Sequence, residues 1–179
     1  MLRAFSRQQP VAVSVDISDR QKILRVGQAW LERLVRRALV AEGIEQAEIS
    51  ILLVDDKRIA AVHDEWLGLL GPTDVITFDH TDNQPPGLAK KSRRRDLIRG
   101  RFLWGDIVVS TETATRVSRE FGWTPRQELA YYVIHGLLHL SGYDDLSPAD
   151  RRKMRGRERS LLKIIGLPVP PRTRFTRKR

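Results

Sequence analysis

The sequence predicts an α/β domain (α+β in arrangement), with a mixed sheet of about four strands packed against about five helices. Its central helix carries His-x-x-x-His. Three observations lead there. Alternating or continuous apolar runs at 11–16, 48–54, 74–78 and 102–110 read as strands. Longer segments with apolar residues at helical spacing separate or follow them. A length of 179 residues with 41% hydrophobic content suffices for one core.

In order, VAVSVD (11–16) alternates as a strand does, and Gln21 to Ala41 repeats Leu24, Trp30, Leu31, Leu34, Val35 and Ala38 at helical spacing, with Gly43 as its stop. Glu48 to Val54 reads as a buried strand. Asp55 or Asp56 caps a helix running to about Trp66. Gly68, Gly71 and Pro72 mark a loop before the short strand Asp74–Phe78, and residues 79–101 read as a basic mobile loop inside the domain. Strand 102–110 follows, then a helix opened by Thr111 or Thr113, running to Phe121 and ended by Gly122. Pro125 fits the first turn of the next helix, with Glu128 in the same turn. Leu129, Tyr132, Val133, Leu137 and Leu140 make that helix largely buried. Ser147-Pro148 starts the last helix, to about Ile165, closed by Gly166 and Pro168. The order β-α-β-α-β-β-α-α-α places one domain over 1–167 and a basic tail over 168–179.

Composition narrows the setting. There are no cysteines, which excludes disulfides and a cysteine-type zinc site and makes a reducing cytoplasm the expected location. No apolar run reaches the ~20 residues of a membrane span, and the first ten residues lack the apolar stretch of a secretory signal. The net charge is +10, with Lys90, Lys91, Arg93, Arg94, Arg95, Arg99 and Arg101 gathered in one segment opposed only by Asp96. The stretch from Arg172 to Arg179 adds four arginines and Lys178. Such a surface favours polyanions, nucleic acid before anionic membrane; its plain alternative is a solvated loop and tail that aid solubility.

The most informative stretch is His135-Gly-Leu-Leu-His139 followed by Gly142 and Asp145. Histidines four apart on a helix share one face and can reach one ion. A glycine at 142 can adopt the left-handed conformation that lets the chain turn back, so that Asp145, or its neighbour Asp144, completes a set of three. His-x-x-x-His alone is a weak signal, since a histidine on a helix is commonly structural; the glycine and third donor strengthen it. Two imidazoles and a carboxylate suit one Zn²⁺ with open positions, and such an ion lowers the pKa of its water and draws charge from a phosphoryl or carbonyl oxygen. The carboxylate leaves the centre about +1 where a third histidine would leave about +2, which tilts metal choice toward harder ions. A metalloprotease of the same offsets needs a glutamate after the first histidine; here Gly136 stands there, so peptidase activity is not expected. Gly136 leaves room for a bulky ligand or for close helix packing, and it costs about 1 kcal/mol relative to Ala inside a helix. His63, on the exposed-looking side of its helix, and His80, at the start of the polar loop, read as surface residues.

HGLLHLSGYDD resembles the signature of the YbeY endoribonucleases, the rRNA maturation factors, whose usual ending is Tyr-Asp-His. Pro72-Thr73-Asp74-Val75-Ile76-Thr77-Phe78 is similar to the family's Pro-Thr-(Asp/Asn)-Val-Leu-Ser-Phe segment, and Gly105-Asp106-Ile107-Val108-Val109-Ser110 to its Gly-Asp-Ile strand. Glu120-Phe121-Gly122 and Glu128-Leu129 also fall where the family has similar residues, so the resemblance spans roughly residues 45 to 166. It implies a single α/β domain with one zinc per chain and cleavage of single-stranded RNA. It also implies a place in small-subunit rRNA 3′-end maturation and ribosome quality control. The expected partners are single-stranded rRNA and the small ribosomal subunit, with no membrane and no DNA. By this reading His135, His139 and Asp145 hold the metal and carry the catalysis, while the segment from Lys90 to Arg101 holds RNA.

Two positions depart from the family. Asp145 replaces its third histidine, and Leu67 falls where it has an arginine that binds or stabilises the scissile phosphate; aliphatic carbon offers no charge-assisted bond to phosphate. Arg58, Arg101 or the basic loop are the available substitutes. The alternative function is a ribosome-assembly RNA-binding factor of the same fold with reduced or no nuclease activity.

Overall fold

The computed structural model describes residues 13–81 and 102–169; Lys90 to Arg101 and the tail from Arg172 lie outside the described residues. Four strands, β1 (Val13–Asp19), β2 (Gln46–Val54), β3 (Val75–Asp79) and β4 (Phe102–Ser110), form one sheet in the order β1-β2-β4-β3. β1 and β4 run parallel to β2, and β3 pairs antiparallel with β4, with Thr77 opposite Ile107. Helices α1 (Gln28–Ala41), α2 (Asp56–Leu67), α3 (Thr111–Glu120), α4 (Pro125–Leu140) and α5 (Pro148–Ile165) complete the mixed α/β architecture.

The period-two pattern of the strands assigns the faces. Ala47, Ile49, Ile51, Leu53, Leu103, Ile107 and Val109 point into the main core, where they meet Leu31, Val35 and Leu39 of α1, Leu137 of α4 and Leu161 of α5. The other face is covered only in part: Ile76 and Val108 pack on Ile59 of α2, with Leu52, Val62 and Phe78 around them. Toward β1 and β2 it carries exposed Ser14, Asp16, Glu48 and Ser50. A side chain therefore alternates between a dry helix layer and a half-solvated face.

α4 lies at the centre of the helix layer. Eleven of its residues are buried, from Glu128 to Leu140, and it packs on α1, α3, α5 and the β3–β4 pair. Its start is fixed by a capping box: Thr124 Oγ1 accepts from the Gln127 N–H, and the Gln127 side chain accepts from the Thr124 N–H. Close approach to the sheet depends on Gly136. A Cβ there would sit 3.0 Å from Thr77 Cγ2 and 3.1 Å from Ile107 Cγ2, so of its two uses the glycine serves tight helix packing.

One local expectation is corrected. The helix expected from Gln21 begins at Gln28, because the Gln21 side chain bonds its own neighbourhood. Its Nε2 donates to the Leu24 carbonyl at 2.7 Å and its Oε1 accepts from the Leu24 N–H at 2.8 Å, holding a turn that competes with the helix. α3 opens at Thr111, one of the two expected threonines, and is capped by Ser110, whose hydroxyl accepts from the Thr113 N–H at 3.0 Å.

Candidate metal centre

The C-terminal end of α4 builds the site. His135 and His139 lie one turn apart with their rings nearly perpendicular, and their Nε2 atoms lie 3.0 Å from each other. After Ser141 the chain turns back through Gly142 at φ 91°, a conformation that favours glycine. That turn returns the Tyr143 carbonyl to His139 Nδ1 at 3.1 Å. It also delivers Asp145: one ligand atom each from His135, His139 and Asp145 falls within 4.8 Å of the others. Asp144 is committed elsewhere, its Oδ1 accepting from the N–H groups of Asp145 (2.6 Å) and Leu146 (3.2 Å).

Both imidazoles are oriented from behind. His135 Nδ1 lies 2.7 Å from Glu158 Oε1 on α5, and Glu158 is only 1% exposed. α5 is itself tied to the end of α1 by Arg157, whose Nε donates to Glu42 at 2.6 Å and whose Nη2 donates to the Ala41 carbonyl. With Nδ1–H donating to Glu158 in one ring and to a carbonyl in the other, each Nε2 carries its lone pair. Two lone pairs facing each other at 3.0 Å repel unless a proton or cation lies between them. The donor set thus fits a divalent ion bound by two neutral imidazoles and a carboxylate, with second partners of the usual kind.

The proton affinities of the two rings diverge. Burial favours neutral His135, but the Glu158 hydrogen bond and charge, with Asp74 and Asp145, outweigh it and raise its pKa. His139 is lowered, first by burial and then by His135. Tyr131 is pushed well above its ordinary value by burial and by Glu158, so its phenol stays protonated.

Two depressions adjoin the site and share Leu67, Thr73, Asp74, His135 and Asp145 on their linings. The smaller, about 250 Å³, is bordered by Leu67, Thr73, Asp74, Thr77 and the three candidate ligands. The larger, about 780 Å³, runs from His135 and Asp145 past Tyr132 to Thr113 and Arg116 of α3, with Leu67, Leu69 and Pro72 also on its lining. His63 lies on this lining, outside the candidate ligand set, with its Nδ1 2.9 Å from the Gly71 carbonyl. His80 instead pairs with Asp106 at 2.8 Å, away from the candidate ligands. Of the expected substitutes for a phosphate-binding arginine, Arg58 is directed to the Arg20 carbonyl, and Arg101 lies outside the described residues. Leu67 borders both depressions.

Sequence reasoning missed Glu158 and Arg116. Glu158 had a signal: it falls four residues after Met154 and three before Leu161, on the apolar stripe of α5, where an unpaired carboxylate is costly. Arg116 had none, since its place on the lining depends on how α3 packs.

The sequence profile of the family described as Endoribonuclease YbeY matches residues 11–166. The chain belongs to the YbeY family. A protein of Anaeromyxobacter sp. (strain Fw109-5) named Endoribonuclease YbeY is 42% identical over 144 residues, covering 79% of this chain and 68% of the relative. Another YbeY of that name, from Moorella thermoacetica, is 35% identical and covers 84% and 96%. In three dimensions the chain is similar to TM1509 of Thermotoga maritima, solved in solution, with a TM-score of 0.55 and 25% identity over 86% of this chain and 90% of that one. YbeY membership thus accounts for the mixed sheet and for the helix that carries His135 and His139.

Proposed function

We propose that this chain is a metal-dependent, single-strand-specific endoribonuclease of rRNA maturation, acting at the 3′ end of small-subunit rRNA and in ribosome quality control. The observation that carries the reading is the convergence of His135, His139 and Asp145 at the mouth of an open groove, in a chain whose relatives are named endoribonucleases. His135 and His139 would hold the ion through Nε2 and Asp145 through a carboxylate oxygen. When bound, one Zn²⁺ supplies Lewis acidity toward a phosphate oxygen and an acidified water.

The residues of the chain do the rest. Glu158 and the Tyr143 carbonyl keep the two Nε2 lone pairs aimed at one point. The groove admits a strand from one side, and the segment Lys90, Lys91, Arg93, Arg94, Arg95, Arg99 and Arg101, with the tail over 168–179, grips the backbone through charge. Residues 1–167 act as one domain of cytoplasmic location, with the small ribosomal subunit as partner. Among the described residues no helix is long and apolar enough to cross a membrane.

A second reading is favoured by Leu67 and Asp145: a ribosome-assembly factor that binds RNA and cuts it poorly or not at all. His139→Ala tests the first. Loss of cleavage of a single-stranded RNA with the circular dichroism spectrum retained supports it; cleavage at the parent rate by the purified variant rejects it.

A further inference from the structure

The larger groove has two unlike linings. α3 supplies Arg116, the one arginine or lysine among the described residues on the lining of either depression. The guanidinium is set in place: Nη1 donates to Asp56 Oδ2 and Nη2 to Thr113 Oγ1, at 2.6 and 2.9 Å, while the side chain stays 55% exposed. Asp56 is shared with the Ser110 and Thr113 hydroxyls, so its charge is spread over several donors and does not belong to Arg116 alone. The end of α2 and the loop after it supply carbon: Leu67 and Leu69, each 54% exposed, beside Pro72. Large apolar side chains so open to water, on the lining of a cavity that also holds a fixed cation, suit a ligand with an anionic and a flat apolar part.

We infer that this groove is a nucleotide subsite next to the metal centre, in which Arg116 binds one backbone phosphate and Leu67 and Leu69 take up the adjoining unpaired base. The inference rests on the RNA reading of the site and adds which residues hold the strand. An unpaired nucleotide offers phosphate and base face together, whereas a duplex stacks its bases inward and offers only phosphate. The subsite therefore selects single strands by itself. Glu120 and Asp74, also on the lining, repel phosphate elsewhere in the groove and leave Arg116 as the favoured position.

The test is the affinity of the zinc-loaded full-length chain for a short fluorescein-labelled oligouridylate, read by anisotropy before appreciable cleavage and across a salt series. Neutralising one phosphate contact on a single strand changes the slope of log Kd against log salt by about 0.7. Arg116→Gln should lose that much slope and roughly tenfold in low-salt affinity, with metal content unchanged, and Arg116→Lys should recover most of the slope. Leu67→Ser with Leu69→Ser should weaken binding with the slope unchanged, and should abolish the preference for the single strand over its duplex. If Arg116→Gln folds poorly because Asp56 loses its partner, Asp56→Asn with Arg116→Gln removes both charges and keeps the readout. Parent-like affinity and slope in the arginine variants, or parent-like strand preference in the serine variant, would overturn the subsite. A parent that binds the strand through these residues without cutting it would contradict the nuclease reading and leave the subsite standing.

Discussion

Glu158 and His135 lie 23 positions apart in sequence and meet at 2.7 Å behind the candidate metal centre. A carboxylate so buried is costly to desolvate without a partner, and the imidazole is fixed by the bond that resolves this. Removal of such a second partner weakens metal binding about ten- to a hundredfold. Glu158→Gln, which keeps an acceptor but not the charge, should fall at the mild end and Glu158→Leu at the severe end. Competition with a chromophoric chelator gives the zinc affinities; equal affinity in all three proteins would mean that Glu158 is only structural.

The same pair predicts how the metal-free chain responds to pH. His135 is raised in the folded state, so its contribution is complete below the unfolded value of about 6.5 and is lost as pH rises through the folded value. His139 is lowered, so its contribution is complete above about 6.5 and is lost as pH falls through its folded value. Stability against urea in the presence of EDTA should therefore decline on either side of a region near neutrality. Glu158→Gln should flatten the alkaline limb and leave the acid limb. An alkaline limb unchanged in that variant would assign it to another group.

Gly136 is a packing position. Gly136→Ala brings Cβ within 3.0 to 3.4 Å of Thr77, Ile107 and Val75, tighter than packed carbon normally sits, while improving helix propensity by about 1 kcal/mol. Overpacking of this kind costs about 1–3 kcal/mol, so a net loss of up to about 2 kcal/mol is expected in urea denaturation. The double variant Gly136→Ala with Thr77→Ser, which removes the nearest methyl, should recover part of it. A single variant more stable than the parent would show that the sheet yields easily.

Leu67→Arg with Asp145→His restores the two family residues and separates the two functional readings. If the chain is an active nuclease, the pair should change cleavage of single-stranded RNA by less than about tenfold, an activation difference of about 1.4 kcal/mol. If it is a binding factor, cleavage should rise from near background by orders of magnitude. Initial rates on one labelled RNA decide between them.

Much of this candidate site is legible in the sequence. The four-residue spacing of His135 and His139 needs only helical geometry, and Gly142 and Asp145 need only a turn, so the grouping of the three side chains within 4.8 Å is legible from spacing alone. The β4 bounds, 102–110, also match, because an unbroken apolar strand between polar segments has sharp ends. Between Asp144 and Asp145 the sequence left the choice open, since it turns on whether a local Asx-type turn captures Asp144. The start of α1 was misplaced for a related reason: a single glutamine side chain competes with the helix over Gln21 to Leu24. Glu158 and Arg116 reach the site only through the packing of α5 and α3 against α4, and pairwise packing leaves no spacing rule in one sequence.

The most direct measurement is zinc content per chain by elemental analysis, on the parent and Asp145→Ala purified side by side without added metal. Close to one zinc per parent chain, largely lost from the variant while both fold, is the predicted result. Parent and variant alike without stoichiometric metal would contradict the proposed centre, and equal metal in both would remove Asp145 from it.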